Sequence, residues 1–405
     1  MPAKEQDLTQ GSRWTALVLL AAAELLGMTL WFSASAAVLS LRTEWSLTDS
    51  SAAWMTLAVQ FGFVAGTLIS ALCNLPDVIN TRHLFGLAAF AAAATNASFG
   101  LFAHDATVGI TLRFFTGLFL AGVYPPGMKI MATWFRQGRG MAIGVLVGAL
   151  TVGKASPYLI KGLGSEIWRT NVLIVSGLAV VGGLIVLLFV KDGPYALPSA
   201  KFDFSQITKV FSDRGVRLAN FGYFGHMWEL YAMWTWLPVM IGASLGEHSR
   251  LAGISTFLVL GAGAIGCVSG GLLADRVGRT VVTSVAMAIS GFCCLIIGFF
   301  FGGNPAMLLA VAAIWGATVV ADSAQFSACI TELSDQRYIG TALTLQTCIG
   351  FLLTTVSIEL IPKLQKAVGW QYAFMMLAPG PVFGVIAMLR LRSLPESEKI
   401  ASGKR

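Results

Sequence analysis

Apolar and polar positions follow one another along this chain in long blocks. Runs of roughly 20 apolar residues, the length that crosses a bilayer as a helix, fall near 14–40, 51–74, 84–103, 107–131, 140–161, 169–190, 217–241, 251–274, 280–301, 305–329, 338–361 and 369–390. The longest polar stretch, 191–216, holds Pro194, Pro198, Lys191, Lys201 and Lys209 and divides the runs six and six. The pattern predicts an all-α membrane protein with twelve transmembrane helices. Two six-helix bundles, 1–190 and 217–405, are expected on either side of a linker at 191–216. The first run is too long for a signal-peptide core and is read as a retained span.

Within this pattern one stretch occurs twice. Glu24-Leu25-Leu26-Gly27-Met28-Thr29-Leu30-Trp31 returns 205 positions later as Glu229-Leu230-Tyr231-Ala232-Met233-Trp234-Thr235-Trp236, both reading E-L-x-x-M-x-x-W. On a helix, Glu, Met and Trp at i, i+4 and i+7 share a face. A carboxylate at mid-membrane costs at least about 2.5–3.5 kcal/mol on insertion scales. Two such residues at matching places predict an internal site between two repeats, the usual plan of secondary transporters.

Composition sharpens the class. The chain is 56% hydrophobic and 12% charged, against about 25% charged for soluble domains. Of 27 Lys and Arg, 18 fall in segments that an inside N-terminus would place inside, and 6 in outer loops. Arg113, Lys129 and Lys154 lie within spans. This bias predicts both termini in the cytoplasm of a bacterial-type inner membrane. The net charge of +7 then reports topology and contact with anionic lipid, not nucleic-acid binding. The six cysteines form no CxxC pair and read as small apolar packers. No phosphate loop, nucleophile triad or metal cluster is visible, so neither an enzyme nor a cofactor is expected.

After the eighth run comes Gly271-Leu272-Leu273-Ala274-Asp275-Arg276-Val277-Gly278-Arg279-Thr280. It resembles the G-x-L-A-D-R-x-G-R-K loop of the major facilitator superfamily and lies where that family has it. Locally, Gly271 permits close helix approach and Gly278 a tight turn. Arg276 and Arg279 hold the loop inside, and Asp275 can meet a helix N-terminus or an Arg. The first-half counterpart, Asn74–Arg82, keeps Leu75, Asp77 and a displaced Arg82. The resemblance implies two six-helix bundles around a cavity lined by helices 1, 4, 7 and 10. Span 4, with Arg113-x-x-x-Gly117, Tyr124-Pro125-Pro126 and Trp134-Phe135, is similar to organophosphate, organic-anion and nitrate branches. The proline pair is expected to kink or loosen that helix.

Placed in that architecture, the cavity helices carry Glu24, Arg113, Lys129, His226, Glu229 and Asp322, and helix 5 adds Lys154. Glu24 and Glu229 are expected to bind a cationic group or carry a coupling proton, the alternative being a permanent lock to Lys129, Lys154 or Arg113. His226, three residues before Glu229, suits a proton relay. With Met233 it lacks the second ligand that a metal site needs. Asp322 and Gln325 offer hydrogen bonds at midplane depth. Trp31, Tyr231 and Trp236, with Trp234, could line an aromatic cavity. The resemblance ties Arg113 to proton handling or internal pairing. The expected activity is alternating-access transport of a small polar or charged organic solute, in proton-coupled symport, by a monomer contacting protons and lipid. An anion carrier and a drug-type proton antiporter are the alternatives. Gly144-x-x-x-Gly148 is followed by Ala149 where drug antiporters carry proline, which favours uptake.

Overall fold

The structure, a computed structural model, describes residues 3–135, 138–163, 167–195, 207–246, 249–335 and 339–405. The middle of the expected linker, 196–206, and the basic residues Arg136, Lys201 and Arg337 lie outside the described residues. The described residues form twelve helical rods and no strand: α1 (Ala3–Met28), α2 (Asp49–Leu72), α3 (Thr81–Phe102), α4 (Ala106–Ala132), α5 (Arg139–Gly162), α6 (Trp168–Phe189), α7 (Arg214–Leu245), α8 (Arg250–Val277), α9 (Arg279–Phe300), α10 (Pro305–Leu333), α11 (Ile339–Val368) and α12 (Trp370–Arg392). Ten of these are long and apolar enough to cross a membrane. The other two, α1 and α7, carry Glu24 and Glu229.

Polar side chains at the loop ends start the helices, each taking a backbone N–H that the helix leaves unpaired. Thr48 caps α2, Asn80 caps α3, Asp105 caps α4, Asp213 caps α7, Ser249 caps α8 and Asn304 caps α10. Several rods are interrupted. α1 ends at Met28 and the chain continues through short helices Ser33–Ala36 and Val38–Trp45. α4 breaks at 121–123, and Pro125 and Pro126 open the segment Tyr124–Ala132. Proline has no N–H to lose in a first turn, so the pair restarts a helix rather than kinking one. α10 breaks at Asp322, which ends one segment and begins the next.

Within the first half of the chain, α1 packs on α5 and α6, α2 on α4, and α3 on α4 and α6. Within the second, α7 packs on α11 and α12, and α9 on α10 and α12. The most extensive packing between the halves is α5 against α8 and α2 against α11, with α5 also touching α10. Small residues set the first seam. A Cβ on Gly144 would lie 2.7 Å from the Cys267 carbonyl, one on Gly271 2.7 Å from the Gly140 carbonyl, and one on Gly253 2.9 Å from Gly162. Close backbone approach of this kind drives helix packing in lipid. It holds the halves together at both ends of α5.

Candidate functional site

The site grows from the break in α1. Beyond Met28 the carbonyls of Leu30 and Trp31 lack the partners a continuing helix would supply. The buried Arg113 guanidinium takes their place. Its Nη1 donates to Leu30 O (3.0 Å), Ser33 Oγ (2.9 Å) and Asn96 Oδ1 (2.8 Å), and its Nη2 donates to Trp31 O. Asn96 is itself held by Val172 O (3.2 Å) and Ser176 Oγ (2.9 Å) of α6. Asn96 was not singled out from the sequence, although a lone Asn in the Ala-rich α3 is a usable signal. The i+7 spacing predicted one continuous helix through Trp31. The helix stops three residues short, so Trp31 leaves the face of Glu24 and Met28.

Glu24 is fully buried over Gly127 of α4, where an added Cβ would lie 2.7 Å from Glu24 Oε2, with Phe85 of α3 alongside. Among the described residues neither carboxyl oxygen has a hydrogen-bond partner. Lys154 lies within electrostatic reach of Glu24 but makes no ion pair with it among the described residues. Gly153 brings α5 onto α1, since any side chain there would strike the Leu25 carbonyl.

The Lys154 ammonium turns into an aromatic cage at the junction of the halves. Nζ lies 4.0 Å from the Trp31 ring centre, 4.9 Å from Tyr231 and 5.1 Å from Trp234, and donates to Tyr231 Oη at 2.6 Å. A desolvated cation over such faces gains about 2 kcal/mol or more. Phe351 of α11 and Phe63 of α2 close the cage from outside, 5.8 Å and 5.2 Å from Trp31. The aromatic cavity expected from the sequence therefore holds the chain's own cation. Trp236 is not in it: its Nε1 donates to Ile358 O of α11 (2.8 Å).

Glu229 faces the interior of the second half. It accepts from Trp315 Nε1 (2.6 Å), Ser290 Oγ (2.9 Å) and Cys294 Sγ (3.0 Å) of α9 and α10. These three partners were not foreseen, and Cys294 is more than the apolar packer expected. His226 Nδ1 lies 2.9 Å from Asp322 Oδ1, both nearly inaccessible, at the break in α10.

The remaining expected residues sit at the end of the molecule that carries the Arg-rich loops. Lys129 donates to Pro76 O (2.7 Å) and to the Asp77 carboxylate, away from the interior cluster. Arg82 bonds Val190 O (2.8 Å) and pairs with Asp192 (3.3 Å). In the second-half loop the Asp275 carboxylate packs on the start of α5, where a Cβ on Gly140 would lie 2.6 Å from Oδ2. Arg279 grips Glu332 with Nε (3.0 Å) and Nη2 (2.8 Å), and Gln325 Oε1 with Nη1 (2.7 Å). Gln325 thus belongs to the loop network. Gly278 (φ +101°) turns the chain, and Arg276 is exposed. At the opposite end a cleft of about 560 Å³ is lined by Asp49, Ser50, Glu359, Lys363 and Lys366. Thr354 donates to Gln60 one to two turns deeper, and Trp31, Lys154, Tyr231 and Trp234 are all buried.

The family model of the Major Facilitator Superfamily matches residues 19–358. A probable sulfoacetate transporter of Cupriavidus necator is 25% identical over 195 residues, covering 44% of this chain and 45% of that protein. An MFS-type transporter of Gibberella moniliformis is 25% identical over 288 residues, covering 66% of each. An agnestins efflux protein of Paecilomyces divaricatus is 25% identical over 298 residues, covering 70% of this chain and 66% of that protein. The chain spans less than two thirds of the length of each of these relatives.

Proposed function

The chain belongs to the major facilitator superfamily, and we propose that it is a secondary active transporter of a small polar or charged organic solute, coupled to protons in symport. In this reading 1–190 and 217–405 are the two rocking units, 191–216 is a cytoplasmic linker, and both termini face the cytoplasm of a bacterial-type inner membrane. One chain suffices, because the cluster draws on both units of a single copy.

The observation that carries the proposal is Glu24. Its carboxyl is buried and, among the described residues, neither oxygen has a hydrogen-bond partner, beside a cluster shared by both units. An unpaired ion in such a place costs several kcal/mol. A proton on Glu24 removes that charge, and with it the obstacle to closing the molecule. Opening on one side loads the proton and solute; opening on the other releases both. The names of the relatives support a transporter. The one called an efflux protein favours the second reading, a proton antiporter, for which proton and solute move oppositely.

Uptake of labelled sulfoacetate by cells producing the protein tests this, with and without a protonophore. Symport predicts uptake that collapses when the proton gradient is abolished. Uptake indifferent to the protonophore would contradict proton coupling, and accumulation raised by it would favour export.

A further inference from the structure

Resting on the transporter reading above, we propose that the central cluster receives an acidic group of the solute, a carboxylate or sulfonate. Its donors are Lys154 Nζ, Tyr231 Oη and the indole N–H groups of Trp31 and Trp234. Buried indoles normally donate to something, and most here do. Trp134, Trp168, Trp228, Trp236 and Trp315 all give their N–H to an oxygen. Trp31 and Trp234, 1% and 2% exposed, do not. Both surround the same ammonium. That ammonium has three N–H donors, and among the described residues its one oxygen partner is Tyr231 Oη. The cluster is rich in buried donors and poor in acceptors, a deficit an oxyanion fills.

Charge argues the same way. Both terminal nitrogens of Arg113 are engaged by Leu30, Trp31, Ser33 and Asn96, whereas the Lys154 ammonium sits in the cage itself with N–H groups to spare. A cationic ligand would find the ring faces already taken and a like charge between them. The donors also divide between the units. Lys154 and Trp31 precede residue 190, while Tyr231 and Trp234 follow 217, so an acid held by all four bridges the halves. Glu24 sets the stoichiometry. Ionised, it shares the field of Lys154; once protonated, it leaves the ammonium's whole charge to the acid. One proton and one acidic group then enter together, as symport requires.

Thermal unfolding of the purified full chain in detergent, titrated with sulfoacetate or succinate and with choline as cationic control, tests the site. Wild type is expected to show a saturable rise in midpoint with the acids and none with choline. Lys154→Met should weaken acid binding roughly tenfold or more. Trp31→Phe and Trp234→Phe, which keep a ring and lose the N–H, should each weaken it about two- to tenfold. Should Lys154→Met not fold, the two Phe variants decide. Unchanged affinity in these variants, a shift with choline instead, or no saturable shift with either acid would overturn the proposal. Binding is read without a gradient. Acid binding without transport would therefore sink the transporter reading alone, and transport without acid binding would sink this site alone.

Discussion

The two copies of E-L-x-x-M-x-x-W share a pattern and differ in structure. In the second, α7 runs unbroken past Trp236 and Glu229 is saturated by three donors. In the first, α1 stops at Met28, Arg113 occupies the freed carbonyls, and Glu24 is left bare. A carboxylate with full partners is a structural joint. One without them is a group whose charge state has to change or be shared. Sequence symmetry marks both positions, and we propose from their surroundings that Glu229 is the joint and Glu24 the switch.

Substitutions can break this contrast. The largest effect is expected at Arg113. Arg113→Leu removes the donors to Trp31 O and leaves Ser33 as the donor shared by Leu30 O and Asn96 Oδ1, and should cost about 3–5 kcal/mol, enough to prevent recovery of folded protein. Arg113→Lys, with a charge but no fork, should be recovered with a lowered unfolding midpoint. Next is Gly153→Ala, whose Cβ would push α5 off the Leu25 carbonyl. It should cost about 1–3 kcal/mol, more than the helix propensity it gains. The sharpest comparison is between the carboxamides. Glu229→Gln disturbs the three hydrogen bonds that the carboxyl accepts and should cost about 1–2 kcal/mol. Glu24→Gln loses none and should change stability by less than about 0.5 kcal/mol. Equal midpoints for the two variants would dissolve the distinction.

The smallest effect lies at Glu44, outside the spans. The Trp168 N–H (2.6 Å) and the Arg169 guanidinium (2.9 Å) hold its carboxyl below the usual range. A lowered folded value contributes stability above the ordinary carboxylate titration, and that stability is lost as pH falls through the folded value. Arg169 and Glu44 are 28% and 43% exposed, so the contribution is a few tenths of a kcal/mol after screening. Glu44→Gln should flatten the acid limb of the stability curve by that amount.

Much of the fold was legible. Apolar runs placed most helices within a few residues, as with 51–74 against Asp49–Leu72, because length and hydropathy are local properties; the first run, 14–40, misses Ala3–Met28 by 11 to 12 residues at each end. The break after Met28 was not, since its causes are distant. Arg113 competes for the carbonyls across 83 residues, and the Thr29 and Ser33 hydroxyls bond back to Leu26 and Leu30. The same holds for Glu229, whose donors lie 61 to 86 residues away. Lys129 could have pointed in or out by sequence. Asp77, which the degenerate loop retains, draws it out. Glu332, the clamp on Arg279, carried no signal because it lies 53 residues from the loop motif.

The account stands on Glu24 as the proton carrier, and proton movement tests it most directly. Proteoliposomes loaded with a pH-sensitive dye would receive an inward gradient of sulfoacetate, whose permanently charged sulfonate does not leak through lipid as a neutral acid. Wild type and Glu229→Gln are predicted to acidify the lumen, and Glu24→Gln to leave it unchanged. Acidification by Glu24→Gln at the wild-type rate, or silence in Glu229→Gln alone, would contradict it.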